Sequence, residues 1–435
     1  MSAPLFPHAA IATPHYLASS AGLAVLTSGG NAVDAAVAAN LVLAVVYPQM
    51  CGLGGDLFAM VWAEGELSGL NSSGHLPAGA RLDGDKVPRT GIDSAVVPGA
   101  VAGWLALLGR YGTRSIEELA PPAIRLAREG CPRSAGLERV TKASAPLLQR
   151  DAQAARIFLA EGLLRQPDLA ETVESIEDFY TGPVAKNVPP PFTPDDFAEH
   201  TAEWVEPERT SVAGLEVCEM PPNSRGHLAL RAIERMEPLD GLRPDNAEFH
   251  LRMIRALDSV TGRAGRTGDT IYLCARDENG MAVSLNQSLY QAFGSGVVVP
   301  ETGVLLNNRA AYFKPQEYGP KKRPTHTLAP AMALQDGRPK FIFGTMGGDT
   351  QIEIHLQLLA RVIIARQELG EAIAAPRWMH RGGSLVAEPG LPEIGAEALP
   401  AEFPELAGHA HAILVEDGHL AAAFDRRSDG AAVGY

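Results

Sequence analysis

Residues 268–288 read GDTIYLCARDENGMAVSLNQS. Polar and apolar residues alternate on both sides of a turn at Asp277–Gly280, which predicts a hairpin of two strands, Thr270–Arg276 and Met281–Ser288. Directly before it runs TGRAGRTGD, residues 261–269, Gly-rich and Arg-bearing with no apolar face to bury, so residues 261–270 are expected to be exposed and mobile. Thr270 opens the first strand. If the Asp269–Thr270 bond is cut, the freed α-amine becomes a general base for the hydroxyl beside it, and Thr270 becomes a nucleophile. The plainer account is a β-branched residue that begins a strand. These residues alone leave both accounts standing.

Working outward, Phe341–Phe343 is strand-like and Gln351–Ile364 helical, with GTMGGDT (344–350) joining them. Gly347 and Gly348 at such a turn either aim backbone N–H groups at a developing oxyanion or serve only tight geometry. Helices are predicted over Ala18–Leu26 and Ala32–Val46, split by Gly29–Gly30 and capped by Asn31. CGLGGD (51–56) precedes a hairpin of Leu57–Trp62 and Leu67–Asn71. A helix begins at Pro98 and runs to Leu108, and a second covers Ser115–Arg128. Residues 143–196 weaken into short helical pieces that end in VPPPFTPDD (188–196), read as a surface excursion. A strand at Glu216–Met220, helices at Leu228–Met236 and Asn246–Val260, and strand-like VLLNN (304–308) complete the pattern. Strands followed by helices in both halves predict a layered α+β fold with mainly antiparallel sheets.

The chain has 435 residues, 46% hydrophobic and 20% charged, which excludes disordered, collagen-like and coiled-coil classes. Lys and Arg number 37 against 51 acidic residues, a formal charge of −14. That balance repels phosphate backbones and anionic lipid, so neither nucleic acid nor membrane is an expected partner. Cys51, Cys131, Cys218 and Cys274 are widely spaced without a zinc pattern, which predicts a reducing compartment and no metal site. Pro4, Pro7 and Pro14 interrupt the N-terminus, and the apolar run Ala35–Val46 falls well short of the ~20 residues that cross a bilayer. A cytoplasmic location is expected. The chain lacks GxxxxGK[ST], HExxH and GxSxG, and its GLGGD is too short for a dinucleotide fingerprint.

Taken together, a set of segments resembles the gamma-glutamyltransferase family of N-terminal nucleophile hydrolases. They are the stretch from Ala18 to Val61, VPGAVAGWLALLGRYG (97–112), PPNSRG (221–226), residues 268–308, KRPTHTLAPAM (322–332), FGTMGGD (343–349), AIAAPRW (372–378) and DRRSDGAAVGY (425–435). The resemblance spans nearly the whole chain. It implies a single four-layer αββα sandwich over residues 1–435, in which the precursor cuts itself between Asp269 and Thr270 into chains 1–269 and 270–435. By motif position it makes Thr270 the nucleophile, Ser288 the hydroxyl that orients it, and Gly347 and Gly348 the oxyanion-hole pair. No cofactor is implied. The implied partners are a small amide, water or an amine as acceptor, and the two chains of one precursor, with a homodimer of these as a further expectation.

The departures bear on specificity. Ser73 in SSGHLPAGA (72–80) stands where the γ-glutamyl enzymes carry an Arg that grips the donor carboxylate. Tyr312 stands where an acid holds the donor ammonium, and His326 and Thr327 replace a serine pair. Ile271 replaces a second Thr. The motifs are more similar to the branch that includes oxamate amidohydrolase, where a small amide is hydrolysed. There Arg309, directly after Asn307–Asn308, supplies a cation for a substrate carboxylate or else a structural ion pair, with Tyr290 nearby in the QSLY motif. Residues 250–270 are shorter than the family's pro-segment, so a non-processing, silent homologue acting as a scaffold stays open beside the amidohydrolase and γ-glutamyl readings.

Overall fold

The computed structural model describes residues 2–261, 268–400 and 404–435. Strands run in order β1 (Leu5–Phe6), β2 (Ala10–Thr13), β3 (Asp56–Ala63), β4 (Glu66–Ser72), β5 (Glu203–Val205), β6 (Glu208–Val212), β7 (Leu215–Glu219), β8 (Asp269–Arg276) and β9 (Ala282–Tyr290). They continue as β10 (Ala331–Gln335), β11 (Arg338–Thr345), β12 (Trp378–Arg381), β13 (Ser384–Ala387), β14 (Glu397–Ala398), β15 (Ala410–Glu416), β16 (His419–Ala423) and β17 (Ala431–Gly434). Two seven-stranded antiparallel sheets form, in the orders β1-β16-β15-β11-β10-β7-β6 and β17-β2-β8-β9-β3-β4-β5. A small sheet, β12-β13-β14, stands apart from them.

Side-chain alternation builds the layers. On β8, Ile271, Leu273 and Ala275 face a core shared with helices α1 (Tyr16–Thr27), α2 (Ala32–Val46) and α3 (Ala100–Tyr111), while Tyr272 and Cys274 face the opposite sheet. Phe341 and Phe343 of β11 turn away from that interface toward α4 (His227–Arg235), α5 (Ala247–Thr261) and α6 (Gln351–Leu359). Helices, sheet, sheet and helices follow one another as the αββα sandwich that the resemblance implies. Gly344 of β11 lets the sheets close at the working end, because a Cβ there would lie 2.3 Å from the Tyr272 ring.

Several predicted elements take other forms. Ser115–Arg128 is two helices, Ile116–Leu119 and Pro121–Glu129, since Pro121 and Pro122 start a new helix rather than continue one. VPPPFTPDD is not a bare excursion: Phe192 and Phe197 are buried against the helical layer. VLLNN forms isolated bridges, Gly54 with Leu306 and Val298 with Leu305, and no strand. The helix predicted to Ile364 leaves α geometry at Leu359 and ends in a π turn over Ala360–Ile364. Residues 262–267 of the segment expected to be mobile lie outside the described residues, whereas Gly268 and Thr270 are buried rather than exposed.

Candidate active site

Thr270 lies at an irregularity between the two strands that the hairpin prediction joined. Pairing steps from Asp269–Tyr290 to Ile271–Gln287, so Thr270 alone faces two residues of β9, Ser288 and Leu289. Such a bulge re-aims side chains. Here it places Thr270 Oγ 3.2 Å from Ser288 Oγ, to which it donates. Ser288 Oγ in turn donates to the Asp269 carbonyl at 2.6 Å and accepts the Tyr290 N–H at 2.7 Å. The Ser288 hydroxyl thus touches both the Thr270 hydroxyl and the carbonyl of the Asp269–Thr270 bond.

The glycine turn comes from the other sheet. Gly347 has φ 142° and Gly348 φ 64°, conformations that side-chain-bearing residues rarely adopt. The chain enters a 3-10 turn at Gly348 and then α6, so the first N–H groups of this run have no acceptor within the helix. A Cβ placed on Gly268 would lie 3.2 Å from Gly348 Cα and 3.2 Å from the Tyr290 ring, so the turn sits against the segment leading to Thr270. Donors at such a place are suited to a developing oxyanion.

Tyr290, at φ 81°, carries the site toward Arg309. The guanidinium carbon of Arg309 lies 4.2 Å from the centre of the Tyr290 ring, and the Tyr312 ring meets Tyr290 edge-on at 5.9 Å. Arg309 is 1% exposed. Both its terminal nitrogens face Thr327 Oγ1 at 3.4 Å, and among the described residues no carboxylate lies within ion-pair distance of it. Burial lowers its pKa, while Tyr290, Asp56, Tyr312 and Asp349 act in the opposite sense. An arginine stays protonated under such conditions, so this is a buried cation beside a neutral hydroxyl. Asn307 holds its backbone, accepting the Arg309 N–H at 3.0 Å and donating to the Gly54 and Val96 carbonyls.

The other residues singled out are occupied otherwise. His326 Nε2 lies 2.9 Å from Asp56 Oδ2 and its Nδ1 accepts the Leu328 N–H, so both ring nitrogens are used in holding CGLGGD against the 322–332 segment. Burial, reinforced by Arg309 and opposed by Asp56, lowers the His326 pKa to about 4, which leaves it neutral at pH 7. Ser73 joins a knot with Asn71 and Asn223, donating to Asn71 Oδ1 at 2.8 Å. Tyr312 donates to Asp349 Oδ1 at 2.8 Å, and Arg225 Nε lies 3.3 Å from the same oxygen. Asp56, Asp349 and Arg225 stand in GLGGD, GTMGGD and PPNSRG, yet sequence reasoning does not single them out as members of the site. The signal was there, but nothing local says what those side chains meet.

Fold and site together define an N-terminal nucleophile hydrolase. A profile of the Gamma-glutamyltranspeptidase family matches residues 18–258 and 245–435, and the chain belongs to that family. It is therefore an amidohydrolase or acyltransferase by class. A glutathione hydrolase-like YwrD proenzyme of Bacillus subtilis (strain 168) is 32% identical over 98% of each chain. An oxamate amidohydrolase proenzyme of Klebsiella pneumoniae subsp. pneumoniae is also 32% identical over 98% of each. Among solved structures, a cephalosporin acylase from Bacillus halodurans superposes with TM-score 0.93 at 29% identity, covering 100% of this chain and 97% of that one. Among the described residues, no helix is long and apolar enough to cross a membrane.

Proposed function

We propose that the chain is a self-cleaving N-terminal-threonine amidohydrolase that acts on a small amide bearing a carboxylate, as oxamate does. Cleavage starts with Thr270 Oγ adding to the Asp269 carbonyl carbon. The Thr270 proton passes to Ser288 Oγ as the Ser288 proton passes to the Asp269 oxygen, along the two hydrogen bonds already made. Collapse of the adduct re-forms the carbonyl, its hydroxyl proton passes to the Thr270 nitrogen, and the C–N bond breaks, leaving Asp269 as an ester on Thr270. Water hydrolyses that ester, giving chains 1–269 and 270–435 and a free α-amine on Thr270.

In turnover that amine takes the hydroxyl proton as Oγ adds to the substrate amide, and the Gly347 and Gly348 N–H groups receive the oxyanion. The α-ammonium so formed gives that proton to the substrate nitrogen, which leaves as ammonia or an amine, and water releases the acid from the ester. The buried Arg309, which has no carboxylate partner among the described residues, carries the substrate reading, because a guanidinium fork beside an uncharged hydroxyl is completed by a bidentate carboxylate. The relative named oxamate amidohydrolase supports the same substrate class. A γ-glutamyl donor is disfavoured because the acid nearest Tyr312, Asp349, is engaged by Tyr312 and Arg225.

The test is steady-state hydrolysis of oxamate and of glutathione by the processed protein and by Arg309→Ala. Oxamate should be the better substrate, and Arg309→Ala should raise its KM by about 10- to 100-fold, as a charge-assisted pair contributes ~1.5–3 kcal/mol. Preference for glutathione, or an unchanged KM in Arg309→Ala, refutes the carboxylate-amide reading and puts the γ-glutamyl reading in its place.

A further inference from the structure

The nucleophile and the glycine turn sit on different sheets, so something must set the distance between them. Thr270 is the second residue of β8 in one sheet, and Gly347 lies two residues beyond the end of β11 in the other. The inter-sheet row of β9 is polar at every second residue: Ser284 meets the Tyr272 hydroxyl at 3.0 Å, and Ser288 meets Thr270. Between them stands Asn286, fully buried. Its Nδ2 donates to the Ile271 carbonyl at 3.2 Å and to the Thr345 carbonyl at 3.1 Å. Both partners only accept, which assigns the amide nitrogen to that side. Its Oδ1 has no partner among the described residues.

One of these carbonyls follows the nucleophile directly, and the other belongs to the last residue of β11. A single NH2 group therefore bridges the strand carrying Thr270 and the strand that delivers Gly347 and Gly348. The apolar inter-sheet core, with Phe58, Met60, Met332 and Ile342, fills space without direction. Hydrogen bonds fix direction and length. We propose that Asn286 is a positioning residue that holds the nucleophile and the oxyanion turn at their working separation across the sandwich. This rests on the roles given above to Thr270, Gly347 and Gly348. A displacement of about 1 Å at such a site costs on the order of 100-fold in rate.

The test uses the processed full-length protein, Asn286→Ala, Asn286→Asp and Asn286→Ser, with thermal midpoint as the check on folding. 4-Nitrophenyl acetate serves as an acylating probe that needs no specificity pocket, and Thr270→Ala sets its background. Two ligands separate positioning from general damage: benzylboronic acid, which turns tetrahedral on a nucleophilic hydroxyl, and phenylacetate, which does not. Asn286→Ala and Asn286→Asp should be acylated about 10- to 100-fold more slowly and bind the boronate weaker by a similar factor, with phenylacetate within about twofold. Asn286→Ser, which retains one donor, should fall between them and the parent, and it decides the question if the other two do not fold. Unchanged acylation in a folded variant, equal weakening of both ligands, or a folded precursor that stays uncut each overturns the proposal. Acylation of Thr270→Ala at the parental rate would instead overturn the underlying nucleophile, whatever Asn286 does.

Discussion

The nucleophilic role proposed for Thr270 rests on its neighbours. The residue is 1% exposed, and its hydroxyl faces a serine whose two accepting positions and one donated proton are all committed, to Thr270, Tyr290 and the Asp269 carbonyl. A hydroxyl saturated in this way is held in one rotamer. It is also polarised toward the Asp269 carbonyl, the one attacked in the proposed cut. Thr270→Ala removes the attacking oxygen and leaves the carbonyl untouched. Denaturing mass spectrometry of that variant should show one uncut chain of 435 residues, and amide hydrolysis should vanish. Two chains from it would reassign the nucleophile.

At the scale of elements, the helical hairpin packed behind β8 and β9 depends on one buried carboxylate. Asn31 and Asp34 form a capping box at the start of α2. Asp34 also accepts the Thr113 hydroxyl and the Thr113 and Arg114 N–H groups just past α3, tying the helix start to a loop about eighty residues further on. Asp34 is fully buried, and its removal strands four donors. Asp34→Ala should cost on the order of 3–5 kcal/mol, read as a lower denaturant midpoint. KM for the amide substrate should not move, because Asp34 is engaged by Asn31, Thr113 and Arg114 and not by residues of the site. A second link reaches the site directly: Trp104 of α3 donates to Asn40 of α2, and Asn40 donates to Gln287 of β9. The residue after Gln287 is Ser288, so the outer helical layer sets the position of the strand that presents it.

Across the whole molecule, the proposed cut divides neither sheet cleanly. Chain 1–269 supplies β2, β3, β4 and β5 to one sheet, and chain 270–435 supplies β9, β17 and all of β8 but its first residue, so strands of the two chains adjoin at the pairings of β2 with β8 and β3 with β9. The other sheet mixes them too, with β1, β6 and β7 from the first chain around four strands of the second. Separation therefore requires breaking both sheets and the core between them. The cut protein should elute from a sizing column as one species containing both chains in equal amounts, and the chains should part only in denaturant. Dissociation in native buffer would show that the cut lies elsewhere in the fold.

The sequence by itself determined what depends on near neighbours. Alternation fixed β8 and β9, the Asn31 cap and glycine pair fixed α1 and α2, and the proline pair at 121–122 held the signal for a helix break that a longer periodicity concealed. The position of Thr270 after a polar segment and the glycines between strand and helix were legible for the same reason: backbone preferences act over a few residues. What Arg309, His326 and Ser73 do was not legible. His326 is held by Asp56, 270 residues away in sequence, Ser73 by Asn223, 150 away, and no carboxylate among the described residues reaches Arg309. Side chains report their own chemistry, but a partner's identity is settled only when the layers close. The tertiary structure alone decided which polar groups are consumed in holding the sandwich together and which buried cation is left without a carboxylate among the described residues.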